Sequence, residues 1–332
     1  MPVGKLPGDL LGRLVATYGS RDPAVIVGPG RGRDAAAIAV GDATLAVKTD
    51  PITFATDRAG HYLVEVNAND LACLGATPRW LLVTALLPAG KTTPELVERQ
   101  FRELHDACTA RGISLVGGHT EITLGLDRPI LVGTLIGEVP PGRLLKPGGA
   151  RPGDKLVLTK GIAIEGTALL AHELGGRLRP ILGSDLIDRA ARLLFAPGIS
   201  VVPDAAVLLD GGGVTALHDP TEGGLAVGVR ELADAAGCGA TIVREKIPIL
   251  PETAAICAEL GLDPLGLLAS GSLLAAVEPD AASNLFAAGA AAGIPVKLIG
   301  EVTPPERGFV LVEGGKPRPL PDFVSDEVTR VL

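Results

Sequence analysis

The sequence predicts a two-domain protein of the α/β (or α+β) class, and three observations carry that prediction. Short apolar runs of strand character alternate with stretches of helical period along both halves of the chain. At 332 residues the chain can build two cores. A Gly- and Pro-rich stretch, Pro140 to Asp154, interrupts the alternation near the middle, so the domains expected are 1–145 and 150–332.

Taken in order, Leu6 to Tyr18 reads as a short amphipathic helix ending at Gly19, and Val25 to Arg33 as a basic, glycine-bearing loop. A hairpin follows: Asp34 to Val40, a Gly41-Asp42 turn, and Ala43 to Thr49. That register sets Asp34 opposite Thr49 and brings Asp34 and Asp50 to one strand end, where two acids want a cation, either Arg33 or a metal ion. His61 to Leu74 reads as a helix closed by Gly75, with Asn67 and Asp70 three apart on a face extended by Leu63 and Leu74. Trp80 to Leu87 is an apolar strand. Thr93 caps a helix that starts at Pro94 and runs to about Arg111. Ser114 to Val116 is a short strand leading into Gly117-Gly118-His119-Thr120-Glu121, and Ile130 to Val139 is another strand.

Beyond the boundary, Lys155 to Thr159 is a strand, and Glu165 to Leu174, Ser184 to Leu194 and Val201 to Leu209 are helical. Next come a helix after residue 219, the strand Ala240 to Val243, strands within Leu267 to Val277, the helix Asp280 to Ala292 and the strand Val296 to Val302.

Composition narrows the function. A net charge of −8 and 3% aromatic residues argue against a nucleic-acid partner. No apolar run is long enough to span a bilayer, and the first residues lack a signal-peptide core, so no membrane is expected. The four scattered cysteines, Cys73, Cys108, Cys238 and Cys257, predict small core residues of a reduced, cytoplasmic protein. An acidic chain still binds polyphosphates where a divalent cation mediates the contact.

The segment His218-Asp219-Pro220-Thr221-Glu222-Gly223-Gly224-Leu225 carries two signals. Asp219 as N-cap, Pro220 at the first helical position and Glu222 three residues after the cap describe a capping box. Gly223 and Gly224 each cost such a helix about 1 kcal/mol relative to Ala. They suit a helix start that an anion approaches closely. Both readings stand on the octapeptide alone. Elsewhere Asp34, Asp50, Asp70, Glu121, Asp219 and Glu222 fall at predicted element ends beside glycines, the composition that magnesium–nucleotide binding requires. His119 and His218 each adjoin a glycine-rich motif and are candidate general bases or phosphate contacts.

Five motifs in order resemble the AIR synthase-related (PurM-like) superfamily. They are Asp34-Ala-Ala-Ala-Ile, Lys48-Thr-Asp-Pro, Val66-Asn-Ala-Asn-Asp-Leu-Ala-Cys-Leu-Gly-Ala-Thr-Pro78, Gly117-Gly-His-Thr-Glu and His218-Asp-Pro-Thr-Glu-Gly-Gly-Leu. The chain is most similar to the HypE-like, hydrogenase expression/formation branch. The resemblance implies an N-terminal domain that forms a barrel across a homodimer and a C-terminal α/β domain. It also implies ATP and Mg²⁺ as cofactors, with Asp34, Asp50 and Asp70 as metal ligands and Glu121 as a further one. Lys48, Asn67, Gly117, Gly118, Thr120, Asp219, Thr221, Gly223 and Gly224 would line the nucleotide, and Glu222 would face the acceptor.

Three departures accompany this. HypE-type proteins carry a C-terminal cysteine, whereas the last one here is Cys257; the loop Val25 to Arg33 lacks the nucleophile of selenophosphate synthetases; and the paired acids of thiamine-monophosphate kinases are replaced. The leading expectation is an ATP-dependent enzyme activating an oxygen of a small substrate by phosphoryl transfer, in hydrogenase maturation with a maturation partner protein. The alternatives are a thiamine-monophosphate kinase-like enzyme and a nucleotide-binding paralogue that acts through a protein partner without turnover.

Overall fold

The computed structural model describes residues 8–19, 22–30, 35–53 and 57–332. These fall into two compact units, one running to residue 144 and one from 145 to 332 that also takes in the first helix, α1 (Gly8–Tyr18). Residues 6 and 7 of the expected helix, and Asp34 with its neighbours 31–33, lie outside the described residues.

The first unit contains, in chain order, β1 (Val25–Val27), β2 (Ala36–Val40), β3 (Ala43–Ile52), α2 (Ala59–Cys73), β4 (Thr77–Pro88), α3 (Pro94–Arg111), β5 (Ser114–Thr123) and β6 (Ile130–Val139). They form one six-stranded sheet, β1-β2-β3-β6-β4-β5, covered on one face by α2. The hairpin register is the expected one, from Ala36 opposite Val47 down to Val40 opposite Ala43, with Gly41 at φ +59° in the turn. Two expectations are corrected. The apolar triplet Val25–Val27, expected as loop, pairs with β2 as an edge strand. The strand begun at Ser114 does not stop before Gly117 but continues to Thr123, because the whole glycine motif pairs in parallel with β4.

Strand β6 shows how the helix layer is seated. Leu131, Leu135 and Val139 are buried on alternate positions, and the two intervening inward positions are glycines. A Cβ on Gly133 would press on Leu63 and the Asn67 amide, and one on Gly137 would meet Leu71 and the Thr77 carbonyl. Their absence lets α2 lie close, burying Leu63, Val64, Ala68 and Leu71. Helix α3 is capped as the sequence indicates: Leu96 N–H donates to Thr93 Oγ1 at 3.3 Å, and Gly112 closes the helix at φ +65°. It is tied to α2 by Arg111, whose Nε donates to both oxygens of the buried Glu65 at 3.0 and 2.9 Å.

The second unit continues with β7 (Lys155–Thr159), α4 (Ile164–Glu173), α5 (Gly175–Leu182), α6 (Ser184–Arg192), α7 (Val202–Gly211), β8 (Val214–His218), α8 (Gly224–Ala235), β9 (Gly239–Val243), α9 (Pro251–Leu260), β10 (Leu274–Val277), α10 (Ala282–Ala291), β11 (Val296–Thr303), β12 (Phe309–Glu313) and β13 (Lys316–Pro319). Its seven-stranded sheet has the order β13-β12-β9-β11-β7-β10-β8. One core packs Leu225, Val229 and Leu232 of α8 against Leu156, Leu158 and Leu274 of the sheet; a second joins Leu170, Leu178, Ile187 and Ile256 of α4, α5, α6 and α9. Helices α5 and α9 and strands β12 and β13 went unread in the sequence. Within the span 267–277, expected as strands, only Leu274–Val277 pairs, and 263–273 is loop. Among the described residues no single helix is long and apolar enough to cross a membrane.

Replacing Arg111 by Ala leaves Glu65 buried without its cation. Breaking such a pair costs about 3–5 kcal/mol when both partners are buried. Because Arg111 is itself 27% exposed, a loss nearer 2 kcal/mol is expected in denaturant titration.

Candidate functional site

In the first unit the chemistry gathers where β3 runs under α2. Lys48 and Asp50, two apart, project from the helix-covered face of β3, beside Leu135 and Gly133 of β6. Asp70, from the last turns of α2, reaches down to the same place. The Lys48 ammonium lies 2.8 Å from Asp70 Oδ2 and 3.4 Å from Asp50 Oδ2. Asp70 is 5% exposed and Lys48 12%, whereas Asp50 at 35% opens to solvent. One turn earlier on α2, the fully buried Asn67 donates through Nδ2 to the Leu63 carbonyl at 2.8 Å, and its Oδ1 meets no donor among the described residues. Lys48 thus serves as cation to Asp70 and Asp50 together. The pair expected at the strand end, Asp34 with Asp50 and Arg33 or a metal ion between them, involves residues outside those described.

Glu121 lies apart from Asp50 and Asp70. It sits on β5, separated from β3 by β6 and β4, roughly 14 Å away at the usual strand spacing. Its register partner is Leu86, and His119 pairs with Thr84, on the sheet face opposite Lys48 and Asp50. There His119 Nε2 and Glu121 Oε2 lie 3.2 Å apart, both exposed. Gly118, at φ +144°, stands where a Cβ would collide with the Val83 carbonyl, so strand pairing explains this glycine. Gly117 has open space and Thr120 is exposed. Among the described residues no group of three or more His, Cys, Asp or Glu side chains is arranged to hold a metal ion.

In the second unit the octapeptide 218–225 also differs from expectation. The helix begins at Gly224, not after Asp219, and has no side-chain cap, so the capping box is absent. Pro220 instead packs into the space left by Gly228, and Gly223 and Gly224 turn the chain at φ +79° and +66°. Several amides of this helix start are taken within the chain. Gly223 N–H donates to Asp326 Oδ2 at 2.7 Å, Gly224 N–H to the Thr221 carbonyl, and Ala226 N–H to the Leu265 carbonyl. His218 is buried and lies 2.9 Å from Glu231 Oε2 on α8. Asp219 is buried, and Thr221 and Glu222 are half-buried.

Three residues of this region were not singled out in the sequence: Glu165, Ser270 and Asp326. Burial pushes the Glu165 carboxyl up to about 7, against hydrogen bonding from Ser270, and the nearby Asp326 and Glu222 charges add to the shift. Burial likewise raises Asp326, although three backbone amides favour its charged form. The available signal was an acid inside the apolar run of α4. The buried thiols of Cys108 and Cys257 are pushed up to about 11 and about 12 by desolvation, so neither is a thiolate at neutral pH.

Lys48→Met is expected to lower stability by about 3 kcal/mol at neutral pH, because Asp70 keeps a buried charge without its counter-ion. The double variant Lys48→Met/Asp70→Asn recovers most of that loss in a urea-denaturation cycle if the ion pair is what holds the site.

The comparisons with known proteins agree with this architecture. Family models for AIR synthase related protein match twice, the N-terminal domain over residues 32–139 and the C-terminal domain over 151–313. A curated carbamoyl dehydratase HypE from Rhodobacter capsulatus is 35% identical over 262 residues, covering 76% of this chain and 73% of the relative. The crystal structure of HypE from E. coli superposes with a TM-score of 0.74 at 26% identity, over 98% of this chain and 99% of that one. A hydrogenase maturation protein HypE crystallised in complex with ATP shares the fold at a TM-score of 0.73 and 24% identity, over 95% and 91% of the two chains. With both family domains matched in order over most of its length, the chain belongs to the AIR synthase related family.

Proposed function

We propose that this protein is a Mg-ATP-dependent enzyme of the HypE type, which activates a carbamoyl- or amide-type oxygen by phosphoryl transfer during metallocofactor maturation. The observation that carries the reading is the pair of carboxylates, Asp50 and Asp70, that meet at Lys48, with the unpartnered Oδ1 of Asn67 one turn before Asp70 on α2. Carboxylate and amide oxygens are the donors Mg²⁺ takes, and the orphaned Asn67 Oδ1 is a buried acceptor in want of a positive partner. Asp50 and Asp70, with Asn67, would hold the ion, and Mg²⁺ would supply charge neutralisation for the phosphates. Lys48 adds a fixed positive charge to the same place. Asp34, Gly117 and Thr120 are proposed as further contacts of the nucleotide or its metal.

The chemistry follows from making oxygen a leaving group. Transfer of the γ-phosphoryl group to the amide oxygen, with one N–H proton released to water, yields ADP and an imidate phosphate. Departure of phosphate, with loss of the remaining N–H proton to a base, leaves a nitrile. In the second unit Glu222, a half-buried carboxylate at the turn into α8, is proposed as that base. The relatives named carbamoyl dehydratases lend the acceptor class, since dehydration of a carbamoyl group is this reaction.

We further propose that the protein is a homodimer through its first unit. The uncovered sheet face and the edge strand β5 expose Trp80, Leu82, Leu115, Val116 and Ile122, an apolar surface beside unpaired strand edge groups. A maturation partner protein would deliver the substrate.

Calorimetry is expected to show Mg-ATP binding that Asp50→Ala weakens roughly tenfold or more, as for the loss of one ligand contact to a bound metal. No binding by the wild-type chain would end the reading. Glu222→Gln is expected to bind Mg-ATP and melt like wild type while losing turnover. Sedimentation is expected to give a dimer, and Val116→Glu a monomer.

A further inference from the structure

We infer that Asp326, in the chain's last turns, is a positioning residue for the turn that carries Glu222, and that the carboxyl of Glu165 is the neutral neighbour that lets it act. This rests on the role proposed for Glu222, but its structural half stands independently.

Asp326 reaches two loops and its own turn with one side chain. Its Oδ2 accepts Gly223 N–H at 2.7 Å, and its Oδ1 accepts Leu268 N–H at 3.2 Å and Val328 N–H at 2.8 Å. Gly223 adjoins Glu222, so the first of these bonds sets the backbone that aims the Glu222 side chain. The neighbouring residues repeat the connection. Glu327 N–H donates to the Gly266 carbonyl at 3.0 Å, and Glu327 Oε2 accepts Asp263 N–H at 2.8 Å and is paired with Arg330. Ala269 N–H donates to the Thr221 carbonyl at 3.2 Å, which joins the two loops directly. Asp326 thus takes, at the start of α8, the place that an external anion takes at other helix starts.

The site must hold this negative charge beside two other acids. Glu165 is 8% exposed at the start of α4, its own N–H donating to the Ser270 carbonyl at 3.2 Å, and the charged groups facing its carboxyl are Asp326 and Glu222. The Ser270 hydroxyl, 1% exposed, makes no hydrogen bond of good geometry among the described residues. Burial raises both carboxyls, but the three amide bonds to Asp326 work against its burial and favour its charged form, whereas Glu165 is pushed up to about 7. The sign follows: Glu165 holds its proton more firmly folded than unfolded. Its contribution is therefore complete below the ordinary carboxylate range near 4.5 and is lost as pH rises through about 7. Above that pH, three carboxylates repel and the hold on residues 221–224 slackens.

Hydrogen exchange on the full chain, corrected for intrinsic rates, tests this. In wild type the protection of 221–228 and 266–269 is expected to fall roughly tenfold between pH 6 and 8.5, with the first unit unaffected. Glu165→Gln, a neutral isostere, is expected to abolish that pH dependence, and Asp326→Ala to lower protection at 221–228 at every pH. Protection that is flat with pH in wild type, or identical in wild type and Glu165→Gln, overturns the inference even if Asp326→Ala fails to fold. Unchanged protection in a folded Asp326→Ala overturns it equally. Absence of Mg-ATP binding by wild type would instead remove the role of Glu222 and leave the exchange results standing.

Discussion

The chemistry of the first unit depends on one buried ammonium. Lys48 reaches Asp70 and Asp50 from a strand position two residues before the second of them, and it can do so only because α2 lies close over the sheet. That closeness is set by Gly133 and Gly137, which leave room for Leu63, Asn67 and Leu71. A helix held further out would place Asp70 beyond the reach of Lys48, and its burial would then be unfavourable. Packing of small residues thus decides where charge can be buried.

The second unit solves a different problem. The turn into α8 has no capping side chain of its own, and the Gly223 and Ala226 amides are taken by Asp326 and Leu265, far away in sequence. Glycine at 223 and 224 serves the left-handed backbone and the approach of the Leu265 carbonyl. A carboxylate from the last turns of the chain then completes the arrangement, at the cost of gathering three acids in one buried place. Burial pushes the Glu165 carboxyl up to about 7, which lessens the charge gathered there below that pH.

Much of the fold was legible because it rests on local signals. The Thr93 cap with Pro94, the Gly41-Asp42 turn and the alternation of Ile130–Val139 each name their structure through neighbours in sequence. The misreadings share a cause. Gly117 to Glu121 read as loop because glycines depress strand propensity, yet pairing with β4 overrides it and a glycine is needed at 118 for steric reasons. Asp219-Pro220 read as a helix start because the local capping pattern is correct, yet Pro220 is drawn against Gly228 and the helix begins later.

What the sequence determined by itself is the class of fold, the hairpin register and the family, since periodicity and ordered short motifs are one-dimensional properties. What only the tertiary structure decided is which charges meet. Lys48 and Asp70 are 22 positions apart, and Gly223 and Asp326 are 103 apart. Glu121, so near the other acids in motif order, is placed three strands from β3 on the opposite face. Electrostatic partnership depends on distance and burial in space, and neither is written in spacing along the chain.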